Sequence, residues 1–268
     1  MARIDQVRSK IERAKKHVAD FAREHTAFFD TNRHTVSPEY YVEQDMTICF
    51  LEECAPIPEE LPLIAGDAIH NLRSSLDYLI HQLILAAGNK PERKHQPGFP
   101  IFPSLKQYEA QSGGKIKGID PKAADVIRAS NPYQGGNEIL WALHDLNNID
   151  KHQLLLTAVS AVSKVGIEIG GRRLEQMFPR HLRFYRGRLP DQFVWLPVAG
   201  RRDFLGAQKG DPVFSIKGNF EGDKNIQLAF NVAFMEPEIV KGKPVLEFLF
   251  TATKVVDSLV SQFVPFLL

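Results

Sequence analysis

The stretch GDAIHNLRSSLDYLIHQL, residues 66–83, decides how the chain folds. Leu72, Leu76, Leu79 and Leu83 recur at threes and fours, the period at which side chains share one face of an α-helix. At about 100° per residue, His70, Arg73, Ser74, Asp77 and His81 fall within an arc of roughly 100° on the other side. A face that only has to be soluble uses Lys and Glu. Imidazoles, a guanidinium and a carboxylate in line mark a candidate site instead. The helix is expected from near Leu61 to about Ala87, with Gly88 at its C-terminal cap. The prolines of CAPIPEELP (54–62) break the chain before it, and GNKPERK (88–94) ends it.

A second long helix follows the same logic. Asn137 is a cap for a segment from Glu138 to about Thr157. Within LWALHDLNNIDKHQLLL (140–156), Trp141, His144, Asn148, Lys151 and His152 share one side, while Leu143, Leu146 and Ile149 point elsewhere. Facing each other, the two helices would enclose acid/base groups and fixed positive charge. Histidine titrates near neutrality, and Arg or Lys holds a phosphate or an oxyanion. The leading reading is a phosphate- or RNA-binding site, with an endoribonuclease as its catalytic form. His81 and His152 are the acid/base pair, Arg73 and Lys151 stabilise phosphate charge, and Asp77 and Asn148 orient imidazoles beside His70 and His144.

Two other readings use the same residues. In one, the chain is a non-enzymatic interaction protein and the polar line is a hydrogen-bond network locking two helices together; Asp77 is one turn from Arg73 and suits an ion pair. In the other, Asp77 and His81, with His144 or His152, ligate a metal for a hydrolase. Arg73 and Lys151 oppose a divalent cation there, so no metal is assigned.

The rest of the chain reads as an α+β protein. Ile4, Val7, Ile11, Ala14, Val18 and Phe21 form the seam of an N-terminal helix. YVEQDMTICFLEE (41–53) has strand composition, with the strand placed at 41–52. PGFPIFPSL (97–105) should lie extended across the core. Asp120-Pro121 starts a short helix to Ala129. KVGIEIG (164–170), HLRFYR (181–186), QFVWLPV (192–198) and PVFSIKG (212–218) are short strand candidates. IQLAFNVAFM (226–235) alternates most strictly of all. Val245, Phe248, Leu249, Ala252, Val255, Leu259 and Phe263 return to helical spacing in a terminal helix that packs on the sheet or the first helices. The organisation is either a mainly helical part, 1–159, followed by an antiparallel β-rich part with the terminal helix, 160–268, or one interleaved domain.

Thirty-three Lys and Arg against 32 Asp and Glu leave a net charge of +1, which excludes a global basic field for nucleic acid but not a local patch. RHLRFYRGR (180–188) interleaves bases with aromatics and reads as a charged edge strand or a nucleic-acid contact. No apolar run reaches the roughly 18–20 residues of a membrane span. MARIDQVRSKIERAKKH (1–17) lacks the pattern of a secretory signal. Cys49 and Cys54 have no second pair for a zinc site. A cytoplasmic protein with reduced thiols is expected. Neither phosphate-loop nor dinucleotide nor nucleophile-elbow motifs occur, so no cofactor is expected.

The order GDAIHNLRSSLDYLIHQL, FPIF, LWALHDLNNIDKHQLLL and a β-rich tail resembles a family of bacterial proteins marked by the pattern GDAxHNLRSxLDxL…FPIF…LHxLNNIDKH. That resemblance implies an architecture and no particular activity. Paired helices carrying an Arg and a His are also similar, distantly, to the HEPN superfamily, whose active members are metal-independent RNases with a site usually shared across a homodimer. Here seven residues separate Arg73 from His81, where that family has four to six, and NNIDKH carries Asn in place of Arg. The resemblance therefore implies either an RNase or a degenerate member that binds without cutting.

Overall fold

The structure, a computed structural model, describes residues 3–31, 35–53, 55–152, 157–168, 193–197, 209–219 and 226–267. It is α+β and divides into two compact units, each assembled from separate segments: residues 1–24, 59–156 and 236–268 form the first, and 25–58 with 157–235 the second.

In the first unit the N-terminal seam is buried as its spacing requires. Within helix α1 (Arg3–Thr31), Val7, Ile11, Ala14 and Phe21 are fully shielded from solvent. Helix α2 (Glu60–Ala86) is the central element, with Leu61, Ala65, Ile69, Leu72, Leu76, Leu79 and Leu83 buried. Pro62 fits in its first turn because amides there have no intrahelical acceptor. The helix ends as Gly88 predicts: Gly88, at φ +78°, donates its N–H to Leu85 O and Asn89 donates to Ile84 O, the paired bonds of a Schellman motif.

Helix α4 (Pro121–Ala129) starts at Asp120, whose carboxylate accepts from Lys122 N at 2.7 Å. Helix α5 (Glu138–Asp150) is capped by Asn137, whose Oδ1 accepts from Leu140 N at 3.1 Å. It stops at Asp150, short of the expected Thr157. Asn147, Asn148 and Asp150 are weak helix formers, and His152 N donates to Ile149 O in a tightened last turn. The terminal helix α6 (Val245–Ser261) packs against α2 and α5, with Val256 rather than Val255 turned to the core. A short helix α7 (Val264–Leu267) follows. Lys15 of α1 reaches Asp257 of α6 at 2.9 Å, and Tyr78 of α2 donates to Gln6 of α1.

Helix α3 (Leu105–Lys115) was not among the expected elements. Its two glycines, Gly113 and Gly114, argue for a loop. The signal that could have found it is Ser104 with Gln107 three residues on, and the Ser104 hydroxyl does accept from Gln107 N.

Among the described residues the second unit holds two three-stranded antiparallel sheets. The strand expected at 41–52 is instead a hairpin: β1 (Thr35–Tyr41), a short 3-10 turn at Val42–Gln44, and β2 (Met46–Glu53). Asp45, at φ 48° and ψ 50°, makes the turn that strand composition alone did not reveal. Pro38 is tolerated because β1 is the outer strand. The second sheet has the order β4 (Phe193–Pro197), β3 (Thr157–Glu168), β6 (Ile226–Phe234), while β5 (Pro212–Lys217) pairs with β2. On β2, Thr47, Cys49 and Leu51 alternate as buried residues. Burial pushes the Cys49 thiol up to about 11, so it is neutral and unreactive. Residues 180–188 and Cys54 lie outside the described residues.

Candidate functional site

Of the polar line of α2, Arg73 is withdrawn from solvent while His70 stays exposed. Arg73 is buried, its side chain 10% exposed, under α5 and the extended segment 97–103. Prolines at 97, 100 and 103 keep that segment out of helix, and Phe99, Ile101 and Phe102 bury themselves along it. The Arg73 guanidinium then has three protein partners. Nη1 donates to Asp77 Oδ1 at 2.6 Å, Nη2 to Phe99 O at 3.0 Å, and Nε to His144 Nδ1 at 3.3 Å. Asp77 Oδ1 accepts in turn from Phe99 N at 2.9 Å. The Phe99 backbone is thus held at both of its polar groups, its N–H by the carboxylate and its carbonyl by the guanidinium. Gly98 permits this: a Cβ there would stand 2.8 Å from Asp77 Oδ1.

His144 has a fixed tautomer. Arginine donates and never accepts, so Nδ1 carries the lone pair and the ring proton sits on Nε2. Asn148 Nδ2 stands 3.1 Å from Nε2; this tautomer requires the amide turned so that Oδ1 receives the proton. Burial first, and then the charge of Arg73, lower the His144 pKa to about 4; Asp77 pulls weakly the other way. The ring is neutral at physiological pH. It packs against Trp141, with centroids 5.9 Å apart.

The other candidate residues lie outside this network. His70 is exposed, with Nε2 3.3 Å from Ser74 Oγ. His81 is half-buried, Lys151 and His152 are exposed, and none of the three has a side-chain hydrogen bond among the described residues. Arg73 meets His144 while Gly66 meets Asp150, so α2 and α5 run antiparallel. That pairing puts His152 and His81 near opposite ends of α2, roughly 20 Å apart at 1.5 Å per residue. A single chain does not bring them together as an acid/base pair.

At the His152 end, the Asp150 carboxylate lies directly on Gly66, its Cγ 2.8 Å from where a Cβ would be. The close approach explains why GDAIHNLR begins with glycine. Burial, then Asp67, raises the Asp150 pKa, and His70 lowers it. Gly66→Ala should push the helices apart and destabilise the protein by about 1–2 kcal/mol, read as a lower urea midpoint with an unchanged slope. Asn147, which the sequence reading passed over, is 3% exposed, and its Oδ1 has no donor among the described residues.

Compared with family models, curated proteins and solved structures, the chain has no match. Among the described residues, no group of three or more His, Cys, Asp or Glu could hold a metal ion, and no helix is long and apolar enough to cross a membrane.

Proposed function

We propose that the chain is a non-catalytic binding protein, in which Arg73, Asp77, His144 and Asn148 form a structural lock between α2, α5 and segment 97–103. The observation that carries this reading is the engagement of Arg73: each of its three guanidinium nitrogens donates to a protein acceptor in a buried setting. A guanidinium recruited for phosphate keeps its fork open to the ligand. His144, neutral and accepting from Arg73 at Nδ1, has the Asn148 amide against its other ring nitrogen.

The RNA-cleaving reading requires Arg73 to leave three partners, and requires a second copy of the chain to bring a His81 to a His152. The two readings separate in one experiment. The purified protein is incubated with labelled single-stranded RNA, beside His81→Ala and His152→Ala. The lock implies no cleavage by any of the three and melting curves within about 1 kcal/mol of one another. Cleavage by the parent that either variant loses, while still folded, would overturn it.

A further inference from the structure

A cavity of about 210 Å³ lies between the exits of α2 and α3. Two bonds bring these exits together: Gly98 N donates to Lys115 O at 3.2 Å, and Asn89 Nδ2 donates to Gly118 O at 2.9 Å. Lys90, Glu92, His95 and Lys117 are among the residues that line it. Its charge is unbalanced. Glu92 is already paired with Lys94 at 2.7 Å, Lys117 Nζ has His95 Nε2 at 3.3 Å, and Lys90 has no partner among the described residues. Glu92 Oε2 is also 3.5 Å from His95 Nε2. The carbonyls of Ile84 and Leu85 at the end of α2 accept from Asn89 and Gly88, which blunts the negative helix end here.

We propose that this cavity binds a small phosphate-bearing ligand, held by the ammonium groups of Lys90 and Lys117 with His95 as a further polar contact. The inference goes beyond the lock: none of the lock's residues takes part. Two lining ammonium groups, with the one lining carboxylate neutralised by Lys94, match a dianion better than a monoanion. The volume is below the ~300–1,000 Å³ of pockets that enclose drug-sized ligands. Phosphate with a few carbon atoms therefore fits, and a nucleotide or an RNA strand does not.

Titration calorimetry at low ionic strength, with inorganic phosphate, methyl phosphate and acetate as probes, tests this. Saturable binding of both phosphates, with acetate weaker, is expected. Lys90→Ala and Lys117→Ala should each weaken binding about tenfold, the scale of one charge-assisted hydrogen bond. Glu92→Gln should tighten it. Lys122→Ala removes the same charge from an exposed position outside the cavity and should change nothing. Absence of saturable phosphate binding by the parent protein, or an equal loss in Lys122→Ala, would overturn the proposal. Either result leaves the Arg73 lock untouched, since that is read by stability and RNA cleavage.

Discussion

Replacing Arg73 with alanine is expected to destabilise the protein by about 2–4 kcal/mol, the scale of leaving buried acceptors unpaired and a packed side chain removed. The loss exceeds that of a salt bridge between exposed groups because three acceptors lose their donor at once. Phe99 O is buried and cannot turn to water, and His144 Nδ1 is left beside a void. Only Asp77, 44% exposed on its side chain, recovers solvation. At about 2–4 °C per kcal/mol for a folded unit of this size, the melting temperature should fall on the order of 10 °C. Arg73→Lys should recover little, because one ammonium group cannot reach three divergent acceptors. Near-parental melting of Arg73→Ala would mean that the network contributes nothing to the fold.

Stability should also fall as the solution is acidified from about pH 6.5 to about pH 4. The folded-state pKa of His144, about 4, lies below the ordinary histidine value of 6.5. Between those values the unfolded chain binds the proton and the folded one does not. The contribution is therefore fully present above pH 6.5 and lost as pH falls through the folded value. Its size is on the order of 2–3 kcal/mol, discounted for the part of the ring that water reaches. Asp145 and Asp150 act in the opposite sense, since burial raises both. The comparison that isolates the histidine is His144→Gln, which keeps an acceptor for Arg73 but does not titrate. Equal slopes of stability against pH in the parent and His144→Gln would refute this assignment.

Much of the fold was legible because local chemistry and tertiary packing agree. The α1 seam, the Asp120-Pro121 start of α4, the Asn137 cap and the Gly88 stop each follow from backbone sterics or from an orphan amide that one side chain can satisfy. The hairpin at Asp45 and the end of α5 were not, since a left-handed aspartate and a weak run of Asn and Asp leave no periodic trace. For the site, helical periodicity puts Arg73 and Asp77 on one polar line and His144 and Asn148 on another, and hydrogen bonds join the four. What it could not supply was their partner. Phe99 contributes its backbone, which has no signature in sequence, and its carbonyl takes up one guanidinium nitrogen that a phosphate site would keep open. The placement of His81 and His152 depended on helix direction, which helical periodicity does not encode.

The most direct test of the lock is the protonation of one ring. Long-range proton–nitrogen NMR of the His144 imidazole, followed from pH 8 to pH 4, reports both tautomer and pKa. The expected result is a neutral ring with its proton on Nε2 down to below about pH 5, shifting to an Nδ1-protonated or charged form when Arg73 is replaced. A ring in the parent protein that titrates near 6.5, or that carries its proton on Nδ1, would contradict the Arg73 bond on which the account stands.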